Sequence, residues 1–185
     1  MKRFVVIAGV NGAGKTTFYS TEDVFSDIVK INFDETVRSF GSWHNPSDVK
    51  KAGKIVLEKI EECFTNGASF SQETTLCGRS IINNMKRAEK LGYELELYYI
   101  GLDCSKTAKD RVDHRVSQGG HGISEEDIER RYHESLKNLK LILPICNMAT
   151  IYDNSLKLTR ISIFRNGKCE WSVRNTPQWY KDLKL

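Results

Sequence analysis

Lys15 and Thr16 close the stretch Gly9-Val10-Asn11-Gly12-Ala13-Gly14-Lys15-Thr16, where small residues run directly into a cation and a hydroxyl. That combination binds phosphate. In the pattern G-x-x-x-x-G-K-[ST] the glycines let successive backbone N–H groups converge on one centre, and the following helix adds the partial positive charge of its N-terminus. The lysine then reaches the terminal phosphates. Gly9, Asn11, Gly12, Ala13, Gly14, Lys15, Thr16 and Thr17 are therefore candidate nucleotide contacts, and the Thr16 hydroxyl is the candidate ligand for Mg²⁺. The elements that such a loop needs are both legible: Phe4-Val5-Val6-Ile7-Ala8 reads as the strand before it, and Lys15 to about Ser20 as the helix after it.

A phosphate loop alone does not separate kinases from GTPases or motors. No N-K-x-D base-recognition motif occurs, and no strand of four apolar residues ends in Asp-Glu. What occurs is Asp34, just past the run Asp27-Ile28-Val29-Lys30-Ile31-Asn32-Phe33, where a carboxylate can orient an acceptor hydroxyl and take its proton late in transfer. Asp34-Glu35-Thr36-Val37 equally reads as the opening of a short helix with Asp34 as its N-cap. The two roles are compatible and both stay open. Glu73 and Thr74 end a third strand at the edge where ligands bind, and are candidates to hold substrate or an outer-shell Mg²⁺ water. Thr75 fits ordinary strand-end capping. A carboxylate there without a partner would bear a desolvation cost.

The segment Arg111-Val112-Asp113-His114-Arg115-Val116 and the later Glu129-Arg130-Arg131-Tyr132 read as a helical lid, joined through Ser117-Gln118-Gly119-Gly120-His121-Gly122-Ile123. Arginines on such a segment can neutralise charge on a transferring phosphoryl group while excluding water. Relative to the apolar stripe Ile128, Tyr132, Leu136 and Leu139, Arg131 lies about 60° from Ile128 and Arg130 about 160°. Arg115 and Arg131 are accordingly the candidate catalytic pair, and Arg130 a solvated one. His114, His121 and His133 lack metal-ligand spacing. Tyr152-Asp153-Asn154-Ser155 ends a fifth strand and reads either as a turn or as part of a nucleotide pocket, which makes Asn154 a further candidate contact.

Positioning these groups requires strands alternating with helices. Helical periodicity runs from about Pro46 to Asn66, from Gly78 to Leu91, from about Ser105 to Val116 and from Ser124 to Ile142, the last opened by the capping box Ser124-Glu125-Glu126-Asp127. Strands are expected at Ala68–Glu73, Glu94–Leu102 and Ala149–Asp153. Arg160–Phe164 and Cys169–Val173 flank an Asn166-Gly167 turn and predict a C-terminal hairpin decorating the domain, at about 160–173. The expected fold is a single α/β domain over 1–185. Its three α/β/α layers surround a mainly parallel five-stranded sheet, with the lid at about 105–142.

At 185 residues and a net charge of +4, from 28 Lys and Arg against 24 Asp and Glu, the chain suits polyphosphate ligands without calling for nucleic acid. No basic stripe with interleaved aromatics marks a strand-binding groove. The five cysteines are scattered with no C-x-x-C, as expected of reduced thiols with no zinc site. No apolar stretch approaches the roughly 18 residues that span a bilayer, so a soluble, cytoplasmic protein is expected.

Gly9 to Thr17, Ile31-Asn32-Phe33-Asp34, Glu73-Thr74-Thr75 and Arg115 to His121 through Arg131-Tyr132 resemble the zeta-toxin family of P-loop kinases, over residues 1 to about 155. Within that family the chain is most similar to the short, stand-alone bacterial members. The resemblance implies that Lys15 and Thr16 serve ATP and Mg²⁺, Asp34 is the base, Glu73 lies in the substrate site and the lid arginines meet the γ-phosphate. It further implies the 3′-hydroxyl of UDP-N-acetylglucosamine as acceptor and a small antitoxin protein as partner. The longer substrate-binding insertions of those toxins have no counterpart in this chain. Two other readings remain: a kinase for another small hydroxyl compound, such as a nucleoside, sugar or antibiotic, and a non-catalytic nucleotide-binding regulatory module.

Overall fold

Strand β1 (Arg3–Ala8) is apolar at consecutive positions because it is buried on both faces. Phe4, Val6 and Ala8 enter one core and Val5 and Ile7 the other, all of them fully buried. The computed structural model describes residues 1–21 and 27–185. β1 is the third strand of a seven-stranded sheet in the order β2-β3-β1-β4-β5-β6-β7, with β2 at Val29–Ile31, β3 at Phe70–Thr74, β4 at Glu94–Gly101, β5 at Met148–Asp153, β6 at Thr159–Arg165 and β7 at Lys168–Ser172. The first five strands run parallel. Their C-terminal ends therefore share one edge, where ligands of open α/β sheets bind.

Helices cover both faces. α3 (Pro46–Asn66) and α4 (Arg79–Lys90) pack on the Phe4 side, while α1 (Lys15–Thr21) and α5 (Ser105–Ser117) pack on the Val5 side. α6 (Glu125–Ile142) reaches both cores, through Ile128 and Tyr132 on one side and Leu139 and Ile142 on the other. Local signals set the helix ends. Asn45 caps α3 by accepting from Ser47 N, with Pro46 at the first position, and Ser124 caps α6 by accepting from Asp127 N. Among the described residues no helix is long and apolar enough to cross a membrane.

Three features depart from the sequence expectation. The expected strand at Asp27–Phe33 is only Val29–Ile31, because Asn32 caps a short helix α2 (Phe33–Phe40) that begins at once. Asp34 is therefore in the first turn of α2 and is not its cap. The C-terminal hairpin does not decorate the domain: β6 pairs antiparallel with β5, from Met148↔Arg165 to Asp153↔Thr159, so the expected five strands become seven. That pairing satisfies the outer backbone edge that β5 would otherwise expose. The turn itself is as expected, with Asn166 at φ 48° and Gly167 at φ 73°, the two positive values a type I′ hairpin needs. Finally, the chain ends in α7 (Gln178–Leu183), whose Trp179 and Leu183 are buried against the sheet.

Candidate active site

The loop after β1 closes on itself through Ala13 N donating to Val10 O at 3.1 Å, and α1 begins with Phe18 N donating to Gly14 O at 3.0 Å. Gly12 and Gly14 sit at φ 80° and 93°, and neither has room for a side chain. A Cβ on Gly12 would stand 2.7 Å from Ala108 O, and one on Gly14 would stand 2.6 Å from Asn154 Nδ2. Backbone N–H groups in such a cradle face the ligand directly, as a bound polyphosphate requires.

Lys15 is 8% exposed, and its Nζ donates to Val10 O at 3.1 Å. Burial holds its ammonium below the ordinary lysine value, while the Glu73 and then the Asp34 carboxylate pull the other way. Glu73 stands at the end of β3 because Ile7 of β1 is its register partner. It accepts from Thr16 Oγ1 at 3.3 and 3.4 Å and from Asn32 Nδ2 at 2.7 Å. Burial raises its carboxyl above the ordinary glutamate value, and Lys15 offsets part of that rise. Asp34, half-buried on α2, is close enough for its charge to act on Lys15, Glu73 and His121. Thr16 and Thr17 are exposed in the first turn of α1. Thr74 Oγ1 accepts from Leu76 N at 3.0 Å and shapes the turn after β3.

The α5–α6 pair brings arginines over this edge, and the four differ sharply. Arg115 donates to His121 O at 2.7 Å, while its Nε is buried with no hydrogen-bond partner among the described residues. Its charge is felt by Lys15. Arg131 donates to Asn11 Oδ1 at 3.3 Å and lies 3.8 Å from Asp127. Arg130 points to solvent, paired with Asp127 and Glu134 at 2.8 and 3.0 Å. Arg111, one of the lid arginines in the sequence reading, is a staple, a role that reading missed. It donates to Gly12 O at 3.4 Å, Asn154 O at 2.7 Å and Ser155 O at 2.9 Å, and Asn154 Nδ2 returns to Ala13 O at 2.8 Å. Asn154 thus holds the phosphate loop through its own side chain. α6 is anchored beside Arg131 by Tyr132, whose hydroxyl donates to Leu102 O and Asp103 O at 3.0 Å each.

Two more residues were not singled out from the sequence. Asn32 bridges α2 and Glu73, and the signal that could have found it is the capping pattern Asn32-x-x-Glu35. Trp43, in the α2–α3 connection, stacks on His121 at 4.3 Å with planes 13° apart, and its other neighbour is Phe33 at 5.4 Å. The α5–α6 link is therefore docked on the side of the site that holds Asp34.

These residues fit a nucleoside triphosphate. Gly12 and Gly14 give the loop the positive φ a phosphate cradle needs, the buried Lys15 has donors to spare, and the Arg115 Nε, without an acceptor among the described residues, is open to a phosphate oxygen. Among the described residues no three His, Cys, Asp or Glu side chains cluster to hold a metal. A Mg²⁺ ion here would rest on Thr16, phosphate oxygens and water, with Glu73 nearby, as such ions commonly do.

The comparisons fit this geometry. An uncharacterized protein of Haemophilus influenzae is 32% identical over 130 residues, which span 69% of this chain and 91% of that protein. This chain belongs to the same family. No protein-family model matches it. Among solved structures, a chain from the PezAT chromosomal toxin–antitoxin system of Streptococcus pneumoniae superposes with a TM-score of 0.61 at 16% identity, covering 99% of this chain and 76% of that one. The AvrRxo1-ORF1:AvrRxo1-ORF2 structure with ATP gives 0.70 at 14% identity, over 99% of this chain and 63% of that one. A chain of the Pnkp1/Rnl/Hen1 RNA repair complex gives 0.58 at 21%, over 76% and 46%. This chain thus shares its α/β fold with these structures.

Proposed function

We propose that this protein is an ATP-dependent phosphotransferase that moves the γ-phosphoryl group to a hydroxyl of a small acceptor. The observation that carries the reading is the convergence of Lys15, the unpartnered Arg115 Nε, Glu73 and Asp34 on one edge of the phosphate loop. A neighbour solved with ATP and the fit of the loop to polyphosphate support ATP as donor. In the reaction the acceptor oxygen forms a bond to the γ-phosphorus while the bond to the β,γ-bridging oxygen breaks. ADP leaves, and the acceptor's proton passes to Asp34. Lys15, Arg115 and Arg131 neutralise the charge on the transferring group. Mg²⁺ bound at Thr16 would supply further neutralisation of the β- and γ-phosphates. Glu73 and Thr74 line the acceptor side.

UDP-N-acetylglucosamine is the first acceptor to test, on the strength of the zeta-toxin resemblance, and another small hydroxyl compound is the next. Incubation with ATP, Mg²⁺ and the sugar nucleotide, then with a metabolite pool, followed by mass spectrometry, separates these. Lys15→Ala is expected to abolish turnover. Asp34→Asn is expected to keep ATP binding and to slow transfer about 10²- to 10⁴-fold. A near-native Asp34→Asn rate overturns the base assignment. Tight ATP binding with no phosphorylated acceptor favours a regulatory module instead. That second reading draws on the PezAT neighbour, described as part of a toxin–antitoxin system, and it places a small antitoxin over the ATP site. A cytoplasmic location and a single kinase unit over 1–185 belong to the same proposal.

A further inference from the structure

We propose that Asn32 is a positioning residue whose one amide ties the helix carrying Asp34 to the carboxylate of Glu73. Its consequence for turnover rests on the kinase reading above; the tie itself rests on geometry. β2 and β3 run parallel with Ile31 beside Gln72, so the next residues, Asn32 and Glu73, come off the sheet edge side by side. Both ends of the Asn32 side chain are then used. Oδ1 accepts from Glu35 N at 3.1 Å and so caps α2, while Nδ2 donates to Glu73 at 2.7 Å. Its backbone carbonyl accepts from Thr36 N at 3.0 Å and Thr36 Oγ1 at 2.8 Å, which locks the first turn around Asp34.

Capping alone does not explain the amide. Serine and aspartate cap helices as well as asparagine does, but neither an ionised carboxylate nor a hydroxyl of serine's reach can accept at one end and donate at the other. Without the amide, the hydrogen bonds that Glu73 keeps among the described residues are the longer Thr16 contacts at 3.3 and 3.4 Å. A hydroxyl acceptor held between Asp34 and Glu73 needs those two carboxylates at a set separation, and small misplacements are costly to transfer rate.

The test uses Asn32→Ser and Asn32→Asp, both of which retain a helix cap, in the full-length protein. Cooperative thermal unfolding checks that each variant folds. A double-mutant cycle reads the tie directly: Asn32→Ser, Glu73→Ala and the two together are unfolded in denaturant, and the single changes are expected to be non-additive by about threefold or more in the unfolding constant. Additive effects overturn the proposal. With an acceptor from the screen, Asn32→Ser is expected to lower kcat about tenfold or more while the KM for ATP changes less than about twofold. Asn32→Asp, which sets a second carboxylate beside Glu73, is expected to lower kcat at least as far. Wild-type turnover in both variants overturns the proposal. If wild type phosphorylates no acceptor, the kinase reading fails and the double-mutant cycle alone decides the tie.

Discussion

At the residue scale, the site holds charges in places that oppose folding. Lys15 is held below its ordinary pKa and Glu73 above its ordinary 4.5, each chiefly by burial. For Glu73 the folded chain binds a proton more tightly than the unfolded chain between pH 4.5 and the raised value, so stability is lost as pH rises through that window. Glu73→Gln removes the buried charge and is expected to melt higher than wild type at pH 7. The advantage should vanish below pH 4.5, in thermal melts across pH. A lower melting temperature at pH 7 would show that Lys15 and Asn32 more than compensate burial of the carboxylate. The same substitution is expected to impair transfer, the trade between stability and activity that strained sites show.

At the scale of elements, the phosphate loop is held from outside itself. α5 supplies Arg111, and the end of β5 supplies Asn154, so the loop carbonyls of Gly12 and Ala13 are tied to neighbouring elements. The end of β5 is itself braced by α7. Trp179 Nε1 donates to Asp153 Oδ1 at 2.8 Å, and the same oxygen accepts from Ser155 Oγ at 2.6 Å. The indole also fills the space over Gly101, where a Cβ would come within 2.2 Å of it. Trp179→Ala is therefore expected to cost about 3–5 kcal/mol, measurable by denaturant unfolding. Because its loss frees Asp153 and Ser155, ATP affinity is expected to fall as well. A variant that keeps wild-type stability would show that α7 does not brace the sheet.

At the scale of the whole molecule, the α2–α3 connection and the α5–α6 link meet at an aromatic stack. The stack of Trp43 on His121 joins two connections that lie far apart in the chain. Burial keeps His121 below its ordinary pKa, so near neutrality the ring stacks uncharged. Trp43→Ala is expected to increase amide hydrogen exchange and proteolytic cleavage at 118–123 while leaving β1 and β4 protected, since local openings track local contacts. Unchanged exchange there would show that Arg115, through its bond to the His121 carbonyl at 2.7 Å, holds the link by itself.

The sequence by itself determined whatever depends on a few neighbouring residues. The glycine spacing before Lys15 specified a phosphate cradle, Pro46 to Gly67 bounded α3, Ser124 opened α6, and Asn166-Gly167 made the hairpin turn. The helical phase of Arg131 and Arg130 was legible for the same reason, because 100° per residue is a local rule. The short helix α2 was less so. The sequence offered Asp34 as its cap, whereas the extended backbone of Asn32, at φ −129° and ψ 121°, and its side chain accepting from Glu35 N make Asn32 the cap. What the tertiary structure alone decided is which groups meet. Asn32 reaches Glu73 across 41 residues, Thr16 reaches it across 57, and Arg131 reaches Asn11 across 120. Those meetings depend on strand order and register, which place β3 between β1 and β2 and join β6 to the open edge of β5. Register is a property of the whole sheet, set when both hydrophobic faces are buried at once, and no window of sequence contains it.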